Sequence, residues 1–127
     1  MPTNNQQIKL RDGRLLGYAE FGDADGEPIL CFHGAHSSRL SGKVLAPVAT
    51  RLNARVIDVD RPGFGLSDFK SGRQISDWPD DVIELADALR LNRFAVLGLS
   101  LGGAYAAACG LRIRNCMVCF RHRTACI

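Results

Sequence analysis

The chain of 127 residues is long enough for one domain with a hydrophobic core and too short for two. Its apolar content of 46% is typical of a globular protein and excludes a disordered chain. The net charge of +3 comes from the end of the chain, because residues 1–110 carry 12 basic and 13 acidic side chains, whereas residues 111–127 carry four arginines and no acid. The body of the chain therefore gives no reason to expect a nucleic-acid or membrane partner.

The first half of the sequence predicts a hairpin, a buried strand and a helix. Residues 8–10 and 15–21 flank Arg11-Asp12-Gly13-Arg14, a good turn sequence for a hairpin. Ile29-Leu30-Cys31-Phe32 is wholly apolar, as expected for a strand buried on both faces of a parallel sheet. Residues 37–52 have helical spacing, interrupted by Pro47. That spacing places five apolar residues on one side: Leu40, Val44, Leu45, Val48 and Leu52.

The second half continues the alternation of strands and helices. Residues 55–59 predict a strand, and a helix is predicted from Ser76 to Asn92 with Pro79 tolerated in its first turn. Three acids, Asp77, Asp80 and Asp81, complement the positive N-terminal end of that helix. Its apolar stripe consists of Val82, Leu85, Ala86 and Leu89. A strand at 94–97 and an alanine-rich helix at 101–110 complete the pattern, which predicts an α/β fold with a mostly parallel, doubly wound sheet and helices on both faces.

Between the last predicted strand and helix lies Gly98-Leu99-Ser100-Leu101-Gly102. A strand before and a helix after a Gly-x-Ser-x-Gly sequence place the serine on a sharp, strained turn with its hydroxyl exposed above the sheet. Because Gly98 and Gly102 have no side chains, nothing clashes at the point where the strand and the helix nearly touch. The pattern predicts a serine nucleophile.

His33-Gly34-Ala35 follows the predicted strand at 29–32 and is expected at the same edge of the sheet as Ser100. The backbone N–H groups of Ala35 and Leu101 are predicted to hold the oxyanion of a tetrahedral intermediate. We interpret His33 as a brace of this loop rather than as the catalytic base. His36 is interpreted either as a wall of the substrate pocket or as a solvated loop residue.

Asp60-Arg61-Pro62-Gly63-Phe64-Gly65-Leu66-Ser67 lacks the glycine spacing of a dinucleotide fingerprint and the basic ending of a P-loop. We therefore interpret it as a tight turn between a strand and a helix. Asp60 is expected to accept hydrogen bonds from the amides of this loop.

These three motifs, His33-Gly34, the stretch from Asp60 to Ser67 and Gly98-Leu99-Ser100-Leu101-Gly102-Gly103, resemble in this order the N-terminal half of the α/β-hydrolase fold family. The resemblance covers about residues 8–110 and is strongest to the group of proline iminopeptidases, haloalkane dehalogenases, epoxide hydrolases and carboxylesterases. It implies that Ser100 attacks an acyl carbon and that the Ala35 and Leu101 amides stabilise the oxyanion. A serine rather than an aspartate at this position points to ester, amide or peptide hydrolysis of a small-molecule substrate, normally without a cofactor.

One departure from that family leaves two functions open. In this fold the catalytic acid and histidine follow the nucleophile along the chain, but after Ser100 the sequence has no Asp or Glu and His122 as its one histidine. A serine hydroxyl without an adjacent base is a poor nucleophile. The chain is therefore either a serine hydrolase or a catalytically silent, truncated fragment or interaction module that keeps half of the site. A nucleotide-binding domain is disfavoured because no Gly-x-Gly-x-x-Gly follows the first parallel strand.

Residues 111–127 differ from the rest in composition, and we predict a partial hydrolase domain at 1–110 with an atypical tail outside it. A change of reading frame or splicing near residue 110 is the expected origin of the tail. Four tail residues, Cys116, Cys119, His122 and Cys126, offer zinc ligands in number, but their spacing is tighter than in a zinc knuckle and we predict no metal site.

The sequence also predicts a cytoplasmic protein with reduced thiols. The first 14 residues are polar and lack the apolar core of a secretory signal. Residues 94–111 are free of charge, but their glycine and alanine content argues against a membrane span. Cys31 and Cys109 are expected to be buried.

Overall fold

The computed structural model describes residues 3–114, 116–122 and 125–126, with the backbone alone for the last two ranges. Within these residues seven strands form one sheet in the order β1-β2-β4-β3-β5-β6-β7. The strands are β1 Thr3–Lys9, β2 Leu15–Gly22, β3 Glu27–Phe32, β4 Ala54–Val59, β5 Phe94–Leu99, β6 Cys116–His122 and β7 Ala125–Cys126. β4, β3, β5 and β6 are mutually parallel neighbours, and β1, β2 and β7 add antiparallel pairings at the two ends.

The N-terminal hairpin forms as predicted. β1 and β2 pair with Ile8 opposite Leu16, and the turn between them passes through Gly13 at a φ of +93°, which glycine adopts without strain. At the start of β2, Arg14 makes a bidentate ion pair to Asp81, with distances of 2.8 and 3.1 Å. The hairpin is therefore tied to the helix that carries Asp81.

Helices cover both faces of the sheet. The helical segments are a 3-10 helix at Arg39–Leu45, α1 at Ala46–Arg51, a 3-10 turn at Ile75–Asp77, α2 at Trp78–Ala88 and α3 at Gly102–Arg112. α2 and α3 supply Val82, Leu85 and Ala106 to the larger buried cluster, whereas α1 supplies Ala49 to a second cluster on the opposite face. The predicted α/β architecture, with a mostly parallel sheet and helices on both faces, is confirmed.

Trp78 lies at the centre of the larger cluster. It is 2% exposed, and its ring meets Phe32 and Tyr105 edge to face at centroid distances of 5.3 and 5.9 Å. The stripe predicted for α2 is confirmed, since Val82 and Leu85 are fully buried. Each such side chain stabilises the fold by about 1.5–3 kcal/mol through the apolar surface that it removes from water.

α2 ends at Ala88, four residues before the predicted end at Asn92. Arg90 adopts a left-handed φ of +58°, and its N–H donates to the Asp87 carbonyl. The N–H of Leu91 donates to the Ala86 carbonyl, which completes a Schellman motif. The predicted end was wrong because this motif formed on an arginine, a residue that rarely supplies the left-handed conformation.

The stripe predicted for residues 37–52 is wrong in its orientation. Four of its five members are exposed, among them Val44 at 83% and Leu52 at 71%. The segment starts as a 3-10 helix, whose three-residue repeat turns Arg39 and Gly42 towards the sheet. Pro47 does not interrupt a helix but lies in the first turn of α1.

The sheet beneath this 3-10 helix carries a buried carboxyl group. Asp58 of β4 is 0% exposed, and the Ser41 hydroxyl donates to its Oδ2 at 2.8 Å. Burial raises the pKa of Asp58 to about 8, against the lowering effect of the hydrogen bonds from Ser41 and Gly42. Burial therefore favours the neutral form of this carboxyl group in the folded chain.

Beyond residue 110 the described backbone continues as the end of α3 and as the strand β6. α3 continues to Arg112, and β6 pairs in parallel with β5, with Phe94 opposite Cys116. The short apolar run at 117–120 suits a strand in a parallel sheet. A domain boundary at residue 110 remains a prediction.

The two remaining expectations concern membranes and cysteines. α2 and α3 have 11 residues each, and among the described residues no helix is long and apolar enough to span a bilayer. The charge-free stretch at 94–111 is divided between β5, a turn and α3. Cys31 and Cys109 are buried, as expected.

Candidate active site

Ser100 occupies the turn between β5 and α3. Its φ of +54° lies in the left-handed region, which costs a non-glycine residue about 1–3 kcal/mol. The chain turns there sharply enough for the N–H of Gly103 to donate to the Ser100 carbonyl at 2.9 Å. The serine itself is exposed, so the predicted strained turn with an outward hydroxyl-bearing residue is present.

The two glycines of the motif allow strand and helix to approach closely. A Cβ on Gly98 would lie 2.5 Å from both the Gly102 carbonyl oxygen and the Gly103 Cα. A Cβ on Gly102 would overlap the Phe32 carbonyl group of β3. Because all of these neighbours are backbone atoms, neither position has room for a side chain.

The loop that follows β3 packs directly on the serine turn. A Cβ on Gly34 would lie 3.6 Å from the Leu99 carbonyl oxygen and 3.7 Å from Ser100 Cβ, which is ordinary contact. Ala35 and Leu101 are both exposed. Within the described residues, neither of their backbone N–H groups donates a hydrogen bond to the protein. One unused donor, at Leu101, directly follows Ser100 in sequence, and the other, at Ala35, follows Gly34, which contacts the serine turn.

His33 has no nitrogen left for chemistry. It is 0% exposed, its Nε2 accepts the backbone N–H of Arg61 at 3.1 Å, and its Nδ1 lies 2.8 Å from the Gly34 carbonyl oxygen. A backbone N–H can only donate, so Nε2 is the unprotonated nitrogen and Nδ1–H donates to Gly34. Burial lowers the pKa of His33, which keeps the imidazole neutral. These contacts are those of a brace and not those of a base.

Arg61 was not predicted from the sequence to belong to the site. This residue is 1% exposed, its Nη2 donates to the Gly34 carbonyl oxygen at 2.8 Å, and its guanidinium lies 4.7 Å from the ring centroids of Phe64 and Tyr105. No ion pair among the described residues includes it. Its position directly after Asp60, at the end of β4, could have indicated a residue of the site. The glycines that follow it favoured the interpretation of a tight turn instead.

The two donors on the Gly34 carbonyl fix the direction of the next N–H. The described chain has no cis peptide bond, so the Gly34 C=O and the Ala35 N–H point in opposite directions. His33 and Arg61 hold the carbonyl on the interior side. The N–H of Ala35 is therefore held facing away from the interior.

Asp60 organises the neighbouring loop as predicted. It is 0% exposed and accepts the backbone N–H groups of Arg39 and Leu66 at 2.7 and 2.8 Å. Arg39 also donates from Nη1 to its Oδ2 at 3.1 Å. Arg39 reaches β1 as well, donating to the Asn4 carbonyl and to Asn5 Oδ1. The carboxylate thus joins the end of β4 to the 3-10 helix and to the loop at Leu66, and Arg39 extends the network to β1.

The described residues bring no base to Ser100. None of their histidines or carboxylates hydrogen-bonds to its hydroxyl, and His36 is exposed in the loop after Gly34. They also contain no cluster of three metal-ligating side chains. The side chains of Cys116, Cys119, His122 and Cys126 lie outside the described part of the structure.

A parallel sheet with helices on both faces and a Gly-x-Ser-x-Gly turn between strand and helix define a class of hydrolase folds. The sequence matches the alpha/beta hydrolase family over residues 29–124, and the chain belongs to that family.

Two curated relatives and two solved structures illustrate the likeness. The chain is 32% identical over 94 residues to a serine hydrolase-like protein of Danio rerio, covering 72% of this chain and 28% of that protein. It is 32% identical over 109 residues to a haloalkane dehalogenase of Psychrobacter cryohalolentis, covering 81% and 34%. A hydrolase from Pseudomonas aeruginosa superposes with a TM-score of 0.81 at 28% identity over 91% of this chain and 43% of the other. The epoxide hydrolase CorEH superposes with a TM-score of 0.80 at 25% identity over 93% and 40%. The chain thus spans about a third of the length of these two curated relatives.

Proposed function

We propose that the chain carries the nucleophile and the oxyanion hole of a serine hydrolase that cleaves carboxylic ester, amide or peptide bonds in small molecules. Ser100 is the nucleophile, and the N–H groups of Ala35 and Leu101 receive the oxyanion. His33, Gly34, Gly98 and Gly102 shape the site without touching the reacting atoms. The protein acts in the cytoplasm and uses no cofactor or metal.

The observation that carries this proposal is the left-handed φ of +54° at Ser100, placed between β5 and α3. The strain is retained at the one residue of the turn whose side chain can attack a carbonyl carbon, which is the usual location of strain in an active site. The two unused N–H groups at Ala35 and Leu101 add the donors that a developing oxyanion needs. The name of the Danio rerio relative agrees with a serine hydrolase.

A specific observation favours a second candidate, a catalytically silent binding module. None of the histidines or carboxylates among the described residues hydrogen-bonds to the Ser100 hydroxyl. Without a base the serine hydroxyl remains protonated near neutral pH. Such a module would bind a carbonyl-containing ligand at the two N–H groups and would not turn it over.

Hydrolysis of p-nitrophenyl acetate by the chain and by its Ser100→Ala variant separates the two candidates. A serine hydrolase releases nitrophenol in proportion to enzyme, and Ser100→Ala abolishes that release. A fluorophosphonate probe, detected by intact mass, reports whether the Ser100 hydroxyl reacts even when turnover is slow. Ser41→Ala is the matched control, because Ser41 hydrogen-bonds to Asp58 on the other face of the sheet.

Equal rates for the chain and for Ser100→Ala, together with no labelling of Ser100, would refute the hydrolase proposal. Labelling of Ser100 without turnover would contradict the silent module, because a serine without a base is a poor nucleophile towards the probe.

A further inference from the structure

Tyr105 is a buried aromatic residue that connects the two halves of the candidate site. It lies on α3, five residues after Ser100, and is 8% exposed. The guanidinium carbon of Arg61 lies over its ring, 4.7 Å from the centroid. Arg61 in turn donates from Nη2 to the Gly34 carbonyl oxygen at 2.8 Å. One ring therefore links the helix that follows the serine turn to the loop that carries the Ala35 N–H.

The guanidinium of Arg61 depends on aromatic rings for its position. Arg61 is 1% exposed, and no ion pair among the described residues includes it. A cation that no carboxylate holds is attracted to the faces of aromatic rings, and this attraction is stronger where water is excluded. The Phe64 ring lies at the same 4.7 Å from the guanidinium carbon as the Tyr105 ring. The two rings therefore keep the guanidinium beside the Gly34 carbonyl oxygen.

The ring of Tyr105 is itself held in one orientation. Trp78 meets it edge to face at a centroid distance of 5.9 Å and an interplanar angle of 90°. Trp78 meets Phe32, the last residue of β3, in the same way at 5.3 Å. All three rings are buried, and close packing limits their rotation. Tyr105 therefore presents a fixed ring face to Arg61.

We propose that Tyr105 is a positioning residue of the oxyanion hole, which acts through Arg61 and the Gly34 carbonyl oxygen on the direction of the Ala35 N–H. This inference rests on the proposed function, which assigns that N–H to the oxyanion. The trans peptide bond carries the orientation from the Gly34 carbonyl to the Ala35 N–H. Loss of the Tyr105 ring frees the guanidinium to move, and the peptide plane moves with it.

Phe64 is a less specific site for a test of this proposal. Its ring also lies 5.1 Å from the His33 ring, edge to face. A substitution of Phe64 would therefore disturb both residues that hold the Gly34 carbonyl, His33 and Arg61. A substitution of Tyr105 changes the contact with Arg61 directly.

NMR relaxation of the backbone amides tests the positioning without requiring turnover. In the parent chain we expect an order parameter of about 0.85 for the Ala35 N–H, the value of rigid backbone. Tyr105→Phe keeps the ring and leaves this value unchanged. Tyr105→Leu removes the ring and lowers the order parameter below about 0.6, the value of flexible backbone. Tyr105→Met, whose flexible side chain adapts to the space that the ring leaves, gives the same decrease and serves where the leucine variant does not fold.

Tyr18→Leu is the matched control, because Tyr18 is 6% exposed in the same buried cluster but lies on β2 and contacts no guanidinium of the described residues. It leaves the Ala35 order parameter unchanged, and the Leu101 N–H keeps its order in every variant. Three results would overturn the proposal. They are an ordered Ala35 N–H in Tyr105→Leu and Tyr105→Met, an equal decrease in Tyr105→Phe or Tyr18→Leu, and a loss of order at Leu101 together with Ala35, which indicates a general loosening of α3.

Labelling of Ser100 by a fluorophosphonate probe measures the consequence for the reacting serine. Removal of the Tyr105 ring slows labelling by about tenfold, and Tyr105→Phe restores the rate of the parent chain. Equal rates for the parent chain and for Tyr105→Leu would overturn the proposal. A parent chain that the probe does not label would count against the proposed function alone, because the order of the Ala35 N–H decides the role of Tyr105 independently.

Discussion

Replacing Gly98 by alanine tests the close approach of β5 and α3 that places Ser100 on its turn. The new Cβ would lie 2.5–2.6 Å from three backbone atoms of Gly102 and Gly103, whereas ordinary contacts begin at 3.4 Å. Backbone atoms cannot rotate away, so strand and helix must separate by roughly 1 Å, and overpacking of this kind costs about 1–3 kcal/mol. With three contacts at once we expect about 3 kcal/mol, or a fall in melting temperature of roughly 10 °C.

Gly34→Ala is the matched control for this substitution. Its Cβ would meet the same turn at 3.6–3.7 Å, so we expect a change in stability below about 1 kcal/mol. Urea denaturation followed by circular dichroism measures both variants against the parent chain. If Gly98→Ala lowered the stability no more than Gly34→Ala did, the steric explanation of the Gly-x-Ser-x-Gly turn would be wrong.

Three further predictions test individual side chains. Burial raises the pKa of Asp58 to about 8, above its value in the unfolded chain. The contribution of Asp58 to stability is therefore complete below about pH 4 and is lost as the pH rises to 8. Asp58→Asn removes this decline, and a pH profile of urea unfolding that the substitution leaves unchanged would contradict the prediction. Asp81→Asn breaks the bidentate ion pair with Arg14 and lowers the free energy of unfolding by about 2–3 kcal/mol in the same assay. Asp80→Asn, which breaks an exposed ion pair, lowers it by less than about 1 kcal/mol. Equal decreases for the two variants would contradict this ranking. Arg61→Lys loses the planar donor on the Gly34 carbonyl oxygen and, if the proposed oxyanion hole is correct, slows fluorophosphonate labelling of Ser100 by about 10–100-fold. An unaltered rate would show that Arg61 does not position the Ala35 N–H.

The helices and strands whose apolar residues follow a single pattern along their whole length were predictable from the sequence. The wholly apolar runs of β3 and β5 and the four-residue spacing of α2 each have one structural solution, and the structure shows it. Residues 39–52 were not predictable in this way. Their apolar residues follow an α-helical repeat, but the hydrogen bond and ion pair from Arg39 to Asp60 impose a 3-10 repeat and turn Leu40 and Val44 to the solvent.

The residues of the candidate site likewise differ in how far the sequence predicts them. Ser100 and its glycines were identifiable because local sterics dictate them, and the strained turn lies where the motif predicts it. Arg61 was not identifiable, because its role depends on the Gly34 carbonyl and on the Tyr105 ring, which are distant in sequence. Interactions between residues far apart in the chain leave no local pattern, and these are the interactions that hold the Ala35 N–H in place.

The left-handed backbone at Ser100 affects how stabilising substitutions in this chain should be chosen. Asn53 and Arg90 have the same kind of φ, +54° and +58°, in loops that carry no chemistry. Glycine at Arg90 would relieve that backbone by up to about 1 kcal/mol and leave the serine turn untouched. Glycine at position 100 would bring the same relief and delete the hydroxyl. A search for thermostable variants that screens on folding alone would thus accept glycine at position 100 as readily as at position 90, and would lose the hydroxyl of the proposed nucleophile.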